Sequence, residues 1–262
     1  MIRKSIVGIF ALILLSLSTY VTMSFAAEKT KNTINIVNVT KTVPSPVIDG
    51  NIAEWSALEK YTLTSGEIIV GNVSTGHDTK NLFLIFEVPD LTPMMNRGQD
   101  PNNHFKEGDC VDLMLGSSRS NPAVPEKGDL RLIITPTGDK PTVYLYRQVA
   151  PGVDKDFQVE FRSPVRTIFF DQVVDVSDKV EAKFAKTETG YTCEVKVPFT
   201  VLDFPYSAGK KAVGDLGILS SNPGGLFTER RCYFFNKKAN VTADLPTEAE
   251  LTPAEWGIVE FE

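Results

Sequence analysis

The chain has 262 residues, 42% hydrophobic, 23% charged and 10% aromatic, proportions of an ordinary globular domain that exclude disordered, collagen-like and coiled-coil chains. Lys and Arg number 27 against 33 Asp and Glu, a net charge of −6 with no basic block, so neither nucleic acid nor an anionic membrane is an expected partner. Two His and three Cys are too few for a closed zinc cage.

Residues 1–26 have the three parts of an export signal: Arg3 and Lys4, an apolar stretch from Ile6 to Leu17, and small residues flanking Phe25 in Ser24-Phe25-Ala26. The apolar stretch is shorter than the roughly 20 residues of a spanning helix, and Ser16, Ser18, Thr19 and Thr22 interrupt its continuation. Cleavage after Ala26 is expected, and with no Cys nearby a lipid anchor is not. The mature chain then has 236 residues, with 25 basic against 33 acidic side chains and a net charge of −8. No other stretch is long and apolar enough to cross a bilayer, so the expected location is secreted or periplasmic. Cys110, Cys193 and Cys232 are an odd number for an oxidising compartment, so at most one intramolecular disulfide can form. Reading all three as small core residues is preferred, and pairing is left open.

Residues 27–43 read as a polar lead-in with one short strand, and residues 44–262 as a single domain. Period-2 alternation dominates. Leu82–Val88 is a mostly buried strand. Asp109–Leu115 puts Val111, Leu113 and Leu115 on one face and Cys110, Asp112 and Met114 on the other. Leu130–Ile134 turns Leu130, Leu132 and Ile134 inward and Arg131 outward, and Thr142–Gln148 follows a turn. Val180–Lys186 and Tyr191–Val197 flank a Gly-containing bend, a hairpin signal. In the second of these strands Thr192, Glu194 and Lys196 fall on the expected solvent face. Asp215–Ser221, Arg230–Phe235 and Trp256–Phe261 complete the set. Helical signals are single turns at Ile52–Trp55 and Pro198–Leu202. About ten strands spaced by Gly, Pro and Asn predict an all-β fold, an antiparallel β-sandwich of jelly-roll-like type. Residues 90–108 form a long irregular loop of a length usually kept for function, and residues 149–178 an extra hairpin.

Five segments carry a resemblance. Pro46-Val47-Ile48-Asp49-Gly50-Asn51-Ile52-Ala53-Glu54-Trp55 resembles the "V-I-D-G-x-x-D-E-W" opening of family 9 carbohydrate-binding modules. Leu82–Val88 is similar to their "L-Y-L-A-F" strand, and Glu107–Asp112 to "x-x-D-S-V-E". Gly190–Phe199 is similar to "G-Y-x-x-E-x-A-I-P-W", and Pro253–Val259 to "P-x-x-W-G-x-L". The likeness spans about Pro44 to Phe261. It implies an antiparallel sandwich that binds sugars without catalysis, as an accessory to polysaccharide breakdown, in some members with structural calcium. It further implies a carboxylate at Asp112, an arginine at Arg131, a clamp aromatic near Phe105 (with His104 beside it) and an amide near Ser220 or Asn222. Both tryptophans, Trp55 and Trp256, align with structural positions, so no Trp stands at either clamp.

Asp112 and Arg131 could each fork hydrogen bonds to vicinal hydroxyls, or simply pair across strands. Tyr144, Tyr146, Tyr233 and Phe235 offer an alternative stacking surface or ordinary sheet packing. Asp100, Asn102, Asn103 and Glu107 carry calcium-type oxygens but no calcium-loop spacing, so no metal ligand set is assigned. Glu107-x-Asp109-x-x-Asp112 has some likeness to a retaining glycosidase strand, with Asp in the third acid position and without that signature's flanking aromatics, so the enzyme reading ranks below the binding one. Neither His77 nor His104 belongs to a nucleophile motif. A haem reading through Met94, Met95, His77 and His104 lacks C-x-x-C-H. The remaining alternative is a structural or protein-binding sandwich without a sugar site. The export signal makes a direct prediction: mass spectrometry of the exported protein should find Ala27 at the new N-terminus, and a retained Met1 would contradict it.

Overall fold

Fifteen strands run through the described residues, in chain order β1 (Thr33–Asn38), β2 (Tyr61–Ser65), β3 (Ile68–His77), β4 (Asn81–Val88), β5 (Cys110–Ser117), β6 (Leu130–Thr135), β7 (Thr142–Arg147), β8 (Val159–Arg162), β9 (Thr167–Phe170), β10 (Gln172–Asp175), β11 (Glu181–Lys186), β12 (Tyr191–Pro198), β13 (Lys211–Ser221), β14 (Thr228–Tyr233) and β15 (Gly257–Phe261). The computed structural model describes residues 33–43, 46–92, 94–100, 102–118, 123–138, 140–162, 166–239 and 248–262. The export signal expected at 1–26 lies outside them. One helical turn, α1 (Phe199–Leu202), follows β12, and a 3-10 turn spans Ile52–Trp55.

One layer has the order β10-β7-β6-β5-β13, with β15 along the first half of β13 and β14 along its second half. The other has β3-β4-β12-β11, with β2 on the free side of β3. These pairings are antiparallel, as alternation and short turns predict. The exception is β1, which runs parallel to β15 through Thr33–Ile36 and then parallel to β3 through Val37–Asn38. The expected antiparallel sandwich is therefore a mixed sheet curled over on itself, and the short lead-in strand is the corner that joins its layers.

The main core lies between the layers. Val111, Leu113 and Leu115 of β5 and Leu130, Leu132 and Ile134 of β6 face Leu82, Leu84 and Phe86 of β4 and Cys193, Val195 and Val197 of β12, the faces that period-2 alternation selects. The outward faces depart from expectation, because both are covered. On the β12 side the opening segment folds back, packing Trp55 and Leu58 on Phe83 and Ile85. Glu194, placed on the solvent face by sequence, is buried there. It accepts the Trp55 indole N–H at 2.6 Å and the Gly50 backbone N–H. Burial raises its pKa, opposed by those two donors. All three cysteines are free and buried.

β3 escapes a period-2 reading because Gly, Asn, Ser and Thr interrupt its apolar residues, and β2, though Tyr61 and Leu63 alternate with Thr, is only five residues long with a register shift between Leu63 and Thr64. The extra hairpin is real but divided: β8 and β9 pair only with each other, while β10 joins the main sheet beside β7. Because β1 ties the layers, Ile36→Ala should destabilise the protein by about 2–5 kcal/mol in urea unfolding, as for other fully buried aliphatics. Ile258→Ala, on the neighbouring β15 but 43% exposed, should change stability by under about 0.5 kcal/mol. Equal effects would show that β1 is not the tie.

Candidate functional site

The outer face of β5 and β6 gathers the sequence-predicted residues. Met114 pairs with Arg131 and Asp112 with Ile133, so Arg131 and Asp112 are diagonal neighbours on one face, within reach of a long side chain. Arg131 donates from Nε at 2.9 Å and Nη2 at 2.6 Å to a single oxygen, Oδ2, of Asp112. The Tyr233 hydroxyl donates to the same oxygen at 2.9 Å. Tyr233 reaches it from two strands away: it pairs with Gly217, which pairs with Asp112. A Cβ on Gly217 would lie 2.5 Å from the Tyr233 ring and 3.0 Å from the Asp112 Cβ, so glycine keeps that path open.

Sequence alternation turns Asp112 and Arg131 away from the main core, and the structure agrees. It differs in closing the face over them. Phe161, Ile168 and Phe170 of β8 and β9, together with Ala249 and Leu251, build a second apolar core with Phe105, Met114, Ile133 and Tyr146. Asp112, Arg131 and Phe105 are each 0% exposed. The Arg131 Nη1 group donates to the Glu248 carbonyl at 2.8 Å. Arg231 donates to the Phe105 carbonyl at 2.6 Å and to the Glu248 carboxylate at 2.7 Å. The Phe105 ring has the guanidinium carbons of Arg131 and Arg231 at 5.4 and 5.5 Å and the rings of Tyr146 and Phe161 at 6.4 and 5.8 Å. It is an enclosed ring with cations at its face.

Burial works against the Arg131 charge, yet the Asp112 carboxylate and Tyr233 oxygen hold its pKa above the ordinary arginine value. The Tyr233 phenol is pushed up, first by burial. Among the described residues, Asp112 Oδ1 and Arg231 Nε find no hydrogen-bond partner here. Of the alternative stacking residues, Tyr146 and Tyr233 are buried, and Tyr144 stacks on His104 at 4.8 Å.

Asn222 stands apart from the ion pair, in the turn between β13 and β14. Its side-chain carbonyl accepts the backbone N–H of Leu226 at 2.7 Å and of Phe227 at 3.2 Å. Those two side chains are left 55% and 54% exposed. The turn borders the long loop, since Thr228 donates to the Lys106 carbonyl at 2.8 Å. The loop itself is ordered by Asn96, which donates to the carbonyls of His104 and Asp109 at 2.8 and 3.0 Å. Sequence reading missed Phe227 and Arg231. Alternation along Arg230–Phe235 does put Arg231 and Tyr233 on one face, whereas nothing in the Asn-Pro-Gly-Gly-Leu-Phe run marks an exposed ring.

Asp100 accepts the Asn102 N–H at 2.9 Å, and no three His, Cys, Asp or Glu side chains gather as a cation cage among the described residues. Of the acids in the glycosidase reading, Asp112 is enclosed with Arg131 while Glu107 is partly exposed on the loop. His77 pairs with the Glu262 carbonyl at 2.8 Å.

Solved structures match the fold. A family 9 carbohydrate-binding module from Caldicellulosiruptor kristjanssonii in complex with glucose matches with a TM-score of 0.53 at 11% identity, over 88% of this chain and 95% of the other. The chain is similar in fold to family 9 carbohydrate-binding modules. The same organism's family 9 module in complex with cellotriose gives 0.52 at 12% identity, over 88% and 93% of the two chains. A candidate carbohydrate-binding protein from Bacteroides uniformis gives 0.50 at 10% identity, over 88% and 99%. No family model and no curated protein matches the sequence. At these identities the likeness to family 9 modules is one of fold.

Two further carboxylates support the site's frame. Asp109 accepts the N–H groups of Met95 at 2.8 Å and Ser221 at 2.7 Å, joining the long loop to β13. Burial pushes its pKa up to about 6. Asp215 accepts from Leu216, Phe235 and Asn236 at 2.8, 2.9 and 2.8 Å, and burial pushes it up to about 7. Each binds its proton more tightly folded than unfolded. Their contribution is therefore full below about pH 4 and is lost as pH rises through about 6 and 7. The urea midpoint should carry a falling component across that window, reduced in Asp109→Asn and Asp215→Asn; an unchanged pH profile in both would contradict it.

Proposed function

We propose that the chain is an exported, non-catalytic carbohydrate-binding protein, secreted or periplasmic, that serves as an accessory to polysaccharide breakdown. The observation that carries this reading is the rim of the outer face, where Asn222 holds the Phe227 ring half-exposed beside the long loop. An aromatic ring presented to solvent by a fixed turn offers a sugar its C–H stacking surface, and side-chain amides nearby serve hydroxyls. The fold supports the ligand class, since two of its structural neighbours hold glucose and cellotriose. Whether calcium contributes is part of the test.

A second reading has an observation of its own. Asp112 and Arg131 meet each other beneath Phe161 and Phe170, which favours a structural pair in a sandwich that works through protein contacts. Calorimetric titration of the purified protein separates the two. The ligands are mono- and disaccharides, xylo-oligosaccharides and cello-oligosaccharides, with and without calcium. Sugar binding should weaken about three- to tenfold in Phe227→Ala, the range for one aromatic contact. Asp112→Asn should lower the unfolding midpoint, because it leaves the Arg131 charge unpaired in the interior. Absence of heat across the panel, from a protein shown to be folded, would overturn the sugar reading in favour of the second.

A further inference from the structure

The rim leaves unused the opposite end of β5. Five residues along that strand from Asp112, roughly 17 Å at strand rise, Ser117 borders a cleft of about 980 Å³. It opens where the two layers part, between the end of β7, the start of β10 and the turn after α1. Its floor is apolar: Phe199 and Phe204 belong to the main core. Its walls carry Lys127, Arg147, Gln172 and Asp203.

The polar groups are arranged rather than scattered. Arg147 donates from Nη1 to Gln172 Oε1 at 2.9 Å and from Nη2 to the Leu202 carbonyl at 2.7 Å. The guanidinium is thereby fixed with three of its five N–H donors left over. Gln172, accepting through Oε1, keeps its amide donors. Among the described residues, neither the Asp203 carboxylate nor the Lys127 ammonium makes a hydrogen bond or a close ion pair, while Asp203 lies near enough to Arg147 to stabilise its charge. Asp203 also occupies a position where glycine is the usual choice: it ends α1 with φ 46° and ψ 40°, in the left-handed region. An apolar floor with a few convergent polar groups is the pattern of a small-molecule site. Two cations face one carboxylate here, and Asp203 answers only one of them, through its attraction for Arg147, in a chain of net charge −6, so an anionic group suits the cleft.

We propose that this cleft takes a uronic acid unit of a saccharide. The sugar's carboxylate lies on Arg147 and Lys127, its hydroxyls lie on Asp203 and Gln172, and its apolar ring face lies against the partly exposed Val149, Ala150 and Pro151. The assignment rests on the carbohydrate-binding reading and adds to it a second locus and a charged ligand class.

The test is calorimetry of the purified protein with glucuronic acid, galacturonic acid and short oligogalacturonides, against glucose and cellobiose. Arg147→Met, Lys127→Ala and Asp203→Gly are the variants, with Phe227→Ala run beside them. Uronates should bind, more weakly as salt rises, and each cleft variant should weaken them about tenfold, the scale of one charge-assisted hydrogen bond. Arg147→Met also loses the tie to the Leu202 carbonyl, so Asp203→Gly carries the discrimination. Glycine relieves the left-handed backbone, so its unfolding temperature should hold or rise while uronate affinity falls, a combination that a merely structural Asp203 would not produce. Uronate heat that survives all three cleft variants overturns the assignment. Uronates giving no heat, while neutral sugars bind and lose that binding in Phe227→Ala, overturn the cleft and leave the rim reading standing. No heat from either class overturns both.

Discussion

A guanidinium taken out of water must find acceptors for its N–H groups, because an uncompensated buried charge is among the most destabilising features a protein can carry. Arg131 sets that demand on the outer face of β5 and β6, and the surrounding structure answers it. Asp112 supplies the countercharge and Tyr233 shares the same oxygen. The Glu248 carbonyl takes the remaining direction. Each partner brings its own chain with it: Tyr233 brings β14 over Gly217, and Glu248 brings the segment carrying Ala249 and Leu251. Phe105 then lies against two guanidinium groups, which draws the end of the long loop onto the same cluster.

Closure of this face has a counterpart on the other side of the sandwich. There the buried acid is Glu194, answered by the indole of Trp55 and the backbone of Gly50. The opening segment and the Gly190–Phe199 segment resemble family 9 motifs separately in sequence, and in the structure they are two halves of one contact. An Asp, Glu or Arg at an outward position of a strand thus marks where a covering segment docks as readily as where solvent begins. The mixed sheet follows the same economy of edges. β1 occupies the corner, parallel to β15 and then to β3, so the two layers are continuous and neither ends in an open edge there.

The inner core was legible from period-2 alternation alone: Val111, Leu113 and Leu115, and Cys193, Val195 and Val197, face inward as the spacing predicts. The strands from Leu82 onward in the main sheet and the two helical turns were legible from alternation and from punctuation by Gly and Pro, whereas β2 and β3 were not. Covering of the outer faces was not, because alternation reports which way a side chain points and is silent about what arrives later to meet it. Phe161 and Phe170 lie about 50 residues along the chain from Asp112, in a hairpin that no local signal ties to that face. Asp112 and Arg131 were found as a pair for the right chemical reason, complementary charge on adjacent strands, and their solvation was misjudged. Phe227 was invisible for the opposite reason: a ring in a Gly-Gly turn has no periodicity, and its exposure depends on Asn222 capturing two backbone N–H groups.

Covering one face of a sheet redistributes where a ligand can be received. With Phe105 enclosed and Asp112 and Arg131 paired out of reach of solvent, the places that offer accessible hydrogen-bonding capacity beside apolar surface include the perimeter and the strand ends. The rim at Asn222 and Phe227 offers a ring with amides but no fixed charge of its own. The cleft at Arg147 and Asp203 offers fixed charges above buried rings. Neutral sugars are recognised mainly by stacking and neutral hydrogen bonds, and acidic ones gain from a guanidinium already held in position. The two loci are therefore chemically complementary, and a backbone that keeps Asp203 at a left-handed position beside an oriented Arg147 sets fixed charge at the open end of the sandwich.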